Sequence, residues 1–563
     1  MSNLRWQIYP QNEELCQALA IKINKHPIIA QILLNRNLNS LALVKKFLDP
    51  EVKNQHNFSS DLLIQISDLI NIHQKEQKKI LLYGDYDVDG ITSTALMLDF
   101  LKLTNPNVHY YIPHRLNEGY GLNLKYVKSI VKKYDLIITL DNGISGVEEI
   151  KYIKANSDTK VIIMDHHTPG DVLPEADLIL NPKLLQENHP LYYLAAVGVV
   201  YKFLEFYIEH FKIDYQLTKN LDLVALGTIA DIAPLVQENR TLTKAGLHVL
   251  NQNTRFGIKI LLEETKFKKT HISPRDVSFS IAPLLNASGR LTKADISLEL
   301  LLAKDEQAAK SLATKIKATN SKRQELGALI LKEAESLIKE KNLADNKVLV
   351  ISNVGWHSGL IGITAAQLTR KYHRPVVMIG INGNMIRGSA RSYGSINIYK
   401  LLARFSSLFL DFGGHKEAAG FSLTEENLDA FIDGLTKDSA NAISDKDLLQ
   451  VLDIDCQISP KSINLDLIKE IHSLAPFGSK NPMPVFYSNE LLPIDFKTVG
   501  NGDHLKVTFV DQENQNLVFD GIGFGLADKL ELLYKKDINF AFQLEISDWM
   551  NNIKPQITLV DIK

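Results

Sequence analysis

The sequence predicts an α/β protein in which a parallel-sheet domain is followed by a long connecting helix, a second α/β domain and a small C-terminal β-barrel. Three observations predict this order. Apolar runs alternate with helical patterns from about residue 75 to 235, a helix-forming stretch without proline covers about 297 to 343, and short strands separated by turns follow from about 447. At 563 residues the chain is also too long for one hydrophobic core.

The first α/β domain is predicted to contain five strands. Their apolar residues are continuous rather than alternating, which is typical of a parallel sheet covered by helices on both faces. Ligands bind such sheets at the carboxyl ends of the strands, and acidic residues stand at those ends in this sequence. The strands are predicted within residues 78–87, 107–115, 134–143, 160–167 and 176–183.

The stretch from 297 to 343 is rich in Ala, Leu, Lys and Glu, so we predict either one long helix or a pair of helices there. The segments KVLVISNVGWHSG and RPVVMIG that follow read as strands of a second α/β unit. The predicted domains are an N-terminal helical segment (1–55), the parallel-sheet domain (56–296), the connecting helix (297–345), the second α/β domain (346–446) and the barrel (447–563).

Composition restricts the class of protein only broadly. Apolar residues make up 45% of the chain and charged residues 23%, as in ordinary globular proteins, and the apolar runs are too short for a membrane span. The 63 Lys and Arg residues nearly balance 65 Asp and Glu residues, which neither indicates nor excludes nucleic-acid binding. Two distant cysteines and an N-terminus without signal-peptide features lead us to expect a cytoplasmic protein.

The first predicted strand ends in GDYDVDG, which places Asp85, Asp87 and Asp89 at alternating positions. Three carboxylates within five residues repel one another unless a cation neutralises them. An Asp-rich turn can also be a solvated loop or a calcium loop, although the downstream Glu of a calcium loop is missing here. The motif on its own therefore favours metal binding over a solvated loop.

Three further segments bring carboxylate or imidazole groups to the same edge of the predicted sheet. Asp141 ends the third strand in LDNG, His166 and His167 end the fourth in MDHH, and Asp231 lies in a helical segment. Taken alone, Asp141 fits an Asx turn and Asp231 a helix cap. Four converging segments make coincidence the poorer explanation, and carboxylate-rich sites with little nitrogen suit manganese or magnesium.

The motifs GDYDVDG, LDNG, DHH and GTIAD occur in this order and resemble those of the DHH phosphoesterase family. Further segments extend the resemblance over nearly the whole chain, where it is closest to the single-strand-specific DNA exonucleases of that family. These segments are IPHRLNEGYG (112–121), NPKLL (181–185), LAAVGVVYK (194–202), LLNASGR (284–290), GWHSGLIGI (355–363), RGSARS (387–392) and FGGHKEAAG (412–420). One departure is Lys480, where the family usually has Gly; we interpret it as a turn variation that does not touch the metal site.

The resemblance implies a centre of two Mn²⁺ or Mg²⁺ ions that are bridged by Asp141. One ion would be held by Asp85, Asp87 and Asp141, and the other by Asp89, Asp141, His166 and Asp231. His167 would then be a catalytic group that faces the substrate or orients a ligand, and the split of roles between His166 and His167 stays open. Two such ions hydrolyse phosphodiesters without a covalent intermediate.

The resemblance also nominates residues that grip the nucleic acid. A pocket for the end phosphate would consist of Arg115, Arg290, Ser389 and Arg391, because arginine forks match phosphate oxygens. The bland alternatives are a solvated loop for Arg115, a cap for Arg290 and a surface hairpin for the other two. Further nucleic-acid contacts would come from His357, Gly413, Gly414 and His415, although His415 also fits a core histidine beside tightly packed glycines.

The function implied is a 5′→3′ exonuclease on single-stranded DNA that releases 5′-mononucleotides in repair and recombination. The C-terminal barrel would be an oligonucleotide-binding (OB) fold, and the second α/β domain the DHH-associated (DHHA1) domain. Alternatives are a hydrolase of short oligonucleotides or cyclic dinucleotides and, from another class, a non-catalytic strand-binding adaptor. The resemblance further implies a monomer that works with a single-strand binding protein and a helicase, and it leaves DNA against RNA undecided.

Overall fold

The fold is taken from a computed structural model that describes residues 4–52, 58–115, 118–119, 121–252, 255–383, 385–549 and 552–563. The predicted domain boundary between residues 55 and 56 and part of the segment 112–121 lie outside the described residues.

The N-terminal segment contains a strand in addition to the predicted helices. Its elements are β1 (Arg5–Ile8), α1 (Glu13–Ile23), α2 (Pro27–Asn35) and α3 (Leu41–Leu48). Strand β1 pairs in parallel with residues 451–454 of the C-terminal region, with Arg5 opposite Val451. Four residues without a strong local preference therefore become a strand through a partner that lies far away in the sequence.

The first α/β domain is built on a five-stranded sheet in which neighbouring strands are all parallel, in the order β3-β2-β4-β5-β6. Its strands lie within the five predicted ranges, and their residues are mostly buried because helices cover both faces. The elements are α4 (Ser60–Lys75), β2 (Ile80–Tyr83), α5 (Val88–Leu101), β3 (Val108–Tyr111), α6 (Leu124–Ile130), β4 (Leu136–Leu140), α7 (Val147–Asn156), β5 (Lys160–Met164) and β6 (Leu178–Leu180).

A helical layer completes this domain and leads into the connector. It consists of α8 (Ala196–Phe211), α9 (Leu221–Ala230), α10 (Gln237–Asn251), α11 (Phe256–Glu264), α12 (Pro274–Asp276), a π-helical turn (Val277–Ile281) and α13 (Ala282–Leu291). The connector is a pair of helices, α14 (Asp295–Leu302) and α15 (Glu306–Glu340). The break between them falls at Asp305, whose side chain accepts a hydrogen bond from the amide of Ala308 and caps α15.

The second α/β domain carries a mixed five-stranded sheet in the order β10-β11-β9-β8-β7. Its elements are β7 (Leu349–Val354), α16 (Ser358–Tyr372), β8 (Val376–Asn382), β9 (Met385–Arg391), α17 (Ile398–Ala403), β10 (Phe409–Gly414), β11 (Ala418–Leu423) and α18 (Glu425–Ala442). The RGSARS segment therefore lies mainly on β9, an interior strand of the sheet, and the Gly-rich segment forms the β10–β11 hairpin.

The C-terminal domain is a seven-stranded sheet in the order β13-β14-β18-β19-β17-β16-β15. The elements are β12 (Val451–Ile454), β13 (Cys456–Gln457), α19 (Leu465–His472), β14 (Phe486–Ser488), β15 (Leu491–Val499), β16 (His504–Asp511), β17 (Val518–Gly523), β18 (Phe540–Trp549) and β19 (Asn552–Ile562). Ile29 and Leu33 of α2 are fully buried in the same hydrophobic cluster as Ile468 and Phe486, so the two ends of the chain share one core.

No helix in the described part of the chain is long and apolar enough to cross a membrane.

Candidate metal centre

The GDYDVDG motif forms the sharp turn between β2 and α5. Asp87 caps α5, and its Oδ1 accepts hydrogen bonds from the amides of Asp89 (3.0 Å) and Gly90 (3.1 Å). The Asp85 carboxylate is buried beneath this turn, with 2% of the residue exposed. A Cβ at position 90 would lie 2.6 Å from the carbonyl oxygen of Asp85, so only glycine allows the backbone to close this tightly.

Asp89 joins the turn to the helical layer. Its two carboxylate oxygens accept hydrogen bonds from the amides of Ala196 (2.7 Å) and Val197 (2.9 Å) at the start of α8. Helix α9 passes close by, because a Cβ at Gly227 would lie 2.8 Å from Asp89 Oδ1. Asp231 follows α9 directly, which brings its carboxylate to the same side of the sheet.

Asp141 follows β4 in a left-handed backbone conformation, with φ 65°. Its amide donates to the carbonyl of Met164 on the neighbouring strand (3.0 Å). The turn is held by Asn142, whose Nδ2 donates to the carbonyls of Tyr83 (3.2 Å) and Leu140 (3.0 Å). Asn142 therefore fixes the loop, and the Asp141 carboxylate is left to face the other acidic groups.

Asp165 organises both histidines at the end of β5. The residue is fully buried, and its Oδ1 accepts hydrogen bonds from the amides of His166 (2.7 Å) and His167 (3.1 Å), while Oδ2 accepts one from Ile144 (3.0 Å). Oδ1 also lies 2.8 Å from Nδ1 of His167. The two rings lie at 63° to each other, with centroids 4.5 Å apart.

The predicted metal ligands converge in space. His166 Nε2 lies 3.2 Å from Asp141 Oδ1, 3.7 Å from Asp89 Oδ2 and 3.9 Å from Asp231 Oδ2. The side chains form three groups, and within each group every residue offers one ligand atom that lies within 4.8 Å of the ligand atoms of the others. The groups are Asp85 with Asp87 and Asp141, Asp89 with His166 and Asp231, and Asp141 with His166 and His167. The first two groups have the composition expected for two ion sites.

The electrostatics of the cluster favour a bound cation. Burial raises the pKa of Asp85, Asp141 and Asp231 well above the usual range, and the charges of neighbouring aspartates raise it further. The same causes raise the pKa of Asp89 to about 7. Divalent cations would supply the positive charge that this arrangement of carboxylates calls for.

The donor set fits hard divalent cations. Burial and the charge of His167 lower the pKa of His166 to about 3, so this imidazole is neutral, as ligation requires. Among the described residues, Asp85 Oδ1 and His166 Nε2 are buried polar atoms that make no hydrogen bond. Carboxylate oxygens with one or two imidazoles match the preferences of Mn²⁺ and Mg²⁺ better than those of Zn²⁺.

His167 differs from its neighbour. Its side chain is 41% exposed, whereas that of His166 is 13% exposed. Although burial lowers the pKa of His167, the hydrogen bond and charge of Asp165 outweigh that effect and raise it to about 9. The two imidazoles therefore differ in both exposure and charge.

Two of the predicted phosphate-binding residues belong to the first α/β domain. The Arg115 guanidinium lies 4.9 Å from the ring centroid of Tyr86, a residue between the acidic groups of the GDYDVDG turn. Arg290 is close to the end of α13, and its Nη1 donates to the carbonyl of Gly359 in α16 (3.3 Å). Arg115 therefore lies next to the acidic turn, and Arg290 lies at the junction with the second α/β domain.

The other two come from β9 of the second domain. Arg391 Nη1 donates to Ser389 Oγ (3.2 Å) and to the carbonyl of Ala390 (2.8 Å). Helix α16 packs against this pair, since a Cβ at Gly362 would lie 2.8 Å from Ser389 Oγ and 2.9 Å from Arg391 Nη2. Neither side chain belongs to a surface hairpin.

The arginines share one region of space and raise its positive potential. Burial, and then the charges of Arg115, Arg323 and Arg391, lower the pKa of Arg290 to about 9. Burial and Arg115 lower the pKa of Arg391 to about 10. Among the described residues, the arginines that form ion pairs with carboxylates are Arg255 and Arg404, which lie outside this group. Clustered guanidinium groups of this kind suit an anion such as phosphate.

The remaining predicted contacts lie elsewhere in the second domain. His357 caps α16, where its Nδ1 accepts a hydrogen bond from the amide of Gly359 (3.2 Å). Gly413, Gly414 and His415 are exposed around the turn of the β10–β11 hairpin, so His415 is not a core histidine. No hydrogen bond or ion pair within the described ranges joins these hairpin residues to the arginine group.

Three family models match successive parts of the chain. They are the DHH family, N-terminal domain (residues 79–228), the DHHA1 domain (345–438) and the RecJ OB domain (454–561). The chain is also 32% identical over its whole length to the single-stranded-DNA-specific exonuclease RecJ of Bacillus subtilis (strain 168), of which it covers 71%. The chain belongs to the RecJ family.

Solved RecJ structures have the same fold. RecJ from Thermus thermophilus in complex with Mn²⁺ superposes with a TM-score of 0.85 at 26% identity, covering 99% of this chain and 79% of the other. The complex of that protein with Mg²⁺ gives a TM-score of 0.78 at 25% identity, covering 99% and 78%. The predicted fold class and the resemblance to the DHH family are both confirmed.

Three groups near the RecJ-type centre escaped the sequence interpretation. Asp165 was recognised only as part of a motif, although it holds both imidazoles. Arg323 is one cation within the charged helix α15, and nothing in its local sequence marks it. Lys480 lies in a turn, as expected, with a φ of 55°. The residue before it, Ser479, accepts a hydrogen bond from the amide of Leu235 (2.8 Å), which lies four residues after Asp231, so this turn is close to the metal-binding segment.

Proposed function

We propose that this protein is a metal-dependent exonuclease specific for single-stranded DNA. It degrades the strand from 5′ to 3′ and releases 5′-mononucleotides in DNA repair and recombination. The observation that carries the proposal is the adjacency of two groups in a chain of the RecJ family. Ligand-type side chains from four segments converge at the ends of parallel strands, and a cluster of arginines lies beside them.

The two ions are Mn²⁺ or Mg²⁺. Asp85, Asp87 and Asp141 would hold one ion, and Asp89, Asp141, His166 and Asp231 the other. Bound ions of this kind lower the pKa of water and stabilise negative charge on the leaving oxygen. The protein contributes a fixed geometry, because hydrogen bonds anchor Asp87, Asp89 and the Asp165–His167 pair before any ligand arrives.

His167 is the group of this chain that addresses the substrate. Nδ1 of His167 lies against Asp165, so Nε2 is directed away from Asp165, and we assign this nitrogen to an oxygen of the scissile phosphate. His166 serves the ions instead, because its Nε2 faces three carboxylates. This division of roles is the simplest one that agrees with the exposure of the two rings.

The arginine group gives the reaction its direction. A 5′ end carries a phosphate monoester, whose two charges and several acceptor oxygens suit Arg115, Arg290, Arg391 and Ser389. The charge of Arg115 acts on Asp85, which supports a pocket that adjoins the metal centre. An end phosphate held there leaves the first phosphodiester bond of the strand near the ions.

The other parts of the chain extend the grip on the strand. We assign nucleic-acid contact to His357 and to the hairpin residues Gly413, Gly414 and His415, and strand binding to the C-terminal domain. The domain boundaries are those proposed from the sequence. We further propose that the protein is a cytoplasmic monomer supplied with single strands by a helicase and a single-strand binding protein.

The test is a time course with purified protein, Mn²⁺ or Mg²⁺ and single-stranded DNA labelled at its 3′ end, beside a matched duplex and a matched RNA. Stepwise shortening of the labelled strand, with the duplex intact, is the expected result. Hydrolysis confined to two- to five-residue oligonucleotides would overturn the assignment in favour of an oligonucleotide hydrolase. Strand binding without hydrolysis under either metal would leave a non-catalytic adaptor.

A further inference from the structure

The loop of residues 476–482 crosses from the C-terminal domain to the metal-binding domain. The amide of Leu235 donates to the carbonyl of Ser479 (2.8 Å), and a Cβ at Gly478 would lie 2.7 Å from Leu235 Cδ1. Asn481 is fully buried and closes the loop, since its Nδ2 donates to the carbonyls of Leu474 (3.1 Å) and Pro476 (2.7 Å). The loop therefore lies against the segment that follows Asp231.

Arg240 fixes this loop in place. The residue is 1% exposed, and its Nη2 donates to the carbonyl of Ala475 (2.9 Å) while its Nε donates to that of Phe47 (3.2 Å). The guanidinium also lies 3.8 Å from the ring centroid of Phe47. One side chain of the first α/β domain thus binds both the C-terminal loop and the N-terminal segment.

Lys480 occupies a backbone position that favours glycine. Its φ is 55°, in the left-handed region, which costs a non-glycine residue roughly 1–2 kcal/mol. The side chain is exposed and reaches back to the first domain. Its Nζ donates to the Tyr193 hydroxyl (2.8 Å) and lies 4.1 Å from the centroid of that ring. A strained position that carries a well-placed cation is a candidate for function.

Lys183 lies beside Lys480, and both ammonium groups contact Tyr193. Its Nζ is 4.2 Å from the centroid of Tyr192 and 5.2 Å from that of Tyr193, and it donates to the carbonyl of Tyr192 (3.0 Å). Glu187 accepts a hydrogen bond from the Tyr193 hydroxyl (2.9 Å). Neither lysine forms an ion pair with a carboxylate of the described residues. The ammonium groups remain available to an external anion.

Lys183 is tied to the metal centre through Asn181, whose Nδ2 donates to the carbonyl of His167 (3.0 Å) while its Oδ1 accepts the amide of Lys183 (2.7 Å). Burial and then the charge of Lys480 lower the pKa of Lys183, whereas Glu187 and Asp231 oppose this change. In the sheet order β3-β2-β4-β5-β6, Arg115 follows the edge strand β3 and Lys183 follows the opposite edge strand β6. The acidic groups that follow β2, β4 and β5 therefore lie between an arginine on one side and the lysine pair on the other.

We propose that Lys183 and Lys480 bind a DNA phosphate on the 3′ side of the scissile bond, so that the strand runs from the arginine group across the metal centre to the lysine pair. This inference rests on the proposed function. The adjacent tyrosines hold both ammonium groups by cation–π contacts, which positions them before the strand arrives. The docked C-terminal loop thereby supplies part of the path that the strand follows.

The test compares Lys480→Gly with Lys212→Gly. Glycine removes the ammonium group at position 480 and suits the left-handed backbone there. Lys212 is a matched control, because it is exposed and has a φ of 54°. It ends α8, whose 16 residues place it roughly 24 Å from the metal-centre end of that helix at about 1.5 Å per residue.

Affinity is measured first, in EDTA, by fluorescence anisotropy on a 5′-phosphorylated ten-nucleotide strand over a range of salt concentrations. We expect Lys480→Gly to weaken binding about three- to fivefold. The slope of the logarithm of the binding constant against the logarithm of the salt concentration should fall in magnitude by about one, as for the loss of one phosphate contact. Lys212→Gly should match the wild type. Equal affinity and equal slope for both variants would overturn the inference.

Hydrolysis then separates a strand contact from a general disturbance of the site. A 5′-phosphorylated dinucleotide has no phosphate beyond the scissile one, so the loss of kcat/KM should be several-fold larger for the ten-nucleotide strand than for the dinucleotide. Equal losses on both substrates would contradict a contact on the 3′ side. If the wild type hydrolyses neither substrate, the proposed function fails, and the anisotropy comparison still decides the role of the lysines.

Discussion

Asp165 and His167 form a buried carboxylate–imidazole pair, with Asp165 Oδ1 2.8 Å from Nδ1 of His167. The carboxylate also accepts the amides of His166 and His167 in its own turn and that of Ile144 in the loop after β4, so it sets the path of the chain and the orientation of the ring together. These contacts hold the pKa of Asp165 at about 2, even though burial alone would raise it. Asp165 is therefore charged at neutral pH and positions His167 without touching the substrate.

Replacing Asp165 with Asn should lower kcat about 10- to 100-fold, as for other groups that orient residues of a metal centre. In the metal-free variant the pKa of His167, followed by NMR, should fall from about 9, because the negative charge of its partner is gone. Asp158→Asn is the control, because Asp158 is exposed and lies just before β5, whereas Asp165 lies just after that strand. An unchanged His167 titration would show that Asp165 is not its electrostatic partner.

Asp141→Asn should reduce hydrolysis by more than about a hundredfold, because a shared ligand matters more than the groups that orient ligands. Asn tolerates the left-handed backbone at this position, where φ is 65°, so the fold should survive. Calorimetry should show weaker Mn²⁺ binding, while affinity for single-stranded DNA in EDTA stays close to that of the wild type. Activity within tenfold of the wild type would remove Asp141 from the bridging position.

Much of the centre could be predicted because its ligands follow local rules. Asp85 and Asp87 lie in the short turn after the apolar strand β2, Asp141 directly follows β4, and the ends of parallel strands meet at one edge of a sheet. The strand β1 could not be found this way, because its four residues pair with β12 at the far end of the chain. Non-local pairing leaves no local pattern.

The lysine pair shows the same limit for function. Lys183 and Lys480 meet on Tyr193 because Arg240 and Leu235 hold the C-terminal loop against the first domain. The charge of Arg323 similarly lowers the pKa of Arg290, although α15 carries many other charged residues that Arg323 does not stand out from. Such convergence depends on domain docking, which spacing along the chain does not encode.

Arg391→Ala should impair hydrolysis of 5′-phosphorylated strands more than that of 5′-hydroxyl strands. The guanidinium is held by Ser389 and Ala390 and lies among other arginines, so its loss removes a fork aimed at the end phosphate. Comparing kcat/KM on the two substrates, we expect a difference of at least about tenfold, as for a charge-assisted hydrogen bond. Arg404→Ala, on the surface of the same domain, is the control. Equal losses on both substrates would argue against an end-phosphate pocket.

Asp89 should make the metal-free protein less stable as pH rises. Its pKa is about 7 in the folded protein against 3.8 for the free side chain, so between these values the folded state binds a proton that the unfolded state has lost. This group contributes about 4 kcal/mol to the free energy of unfolding. The contribution is fully present below pH 3.8 and has been lost once the pH passes 7. In EDTA the melting temperature of the wild type should fall more between pH 5 and 8 than that of Asp89→Asn. Parallel curves for the two proteins would contradict the assignment, and added Mn²⁺ should restore the wild type.

Arg240→Ala should loosen the joint between the first α/β domain and the unit formed by the two chain ends. The guanidinium is buried against backbone carbonyls of Phe47, Ala475 and Pro476, so truncation leaves unpaired acceptors and a cavity beside Phe47. A buried acceptor left without its partner costs about 1–3 kcal/mol. Calorimetry should show a separate, lower melting transition, whereas exposed Arg275→Ala should melt like the wild type. Because the joint carries the loop of residues 476–482, Arg240→Ala should also weaken binding of the ten-nucleotide strand. A single unshifted transition would show that other contacts hold the joint.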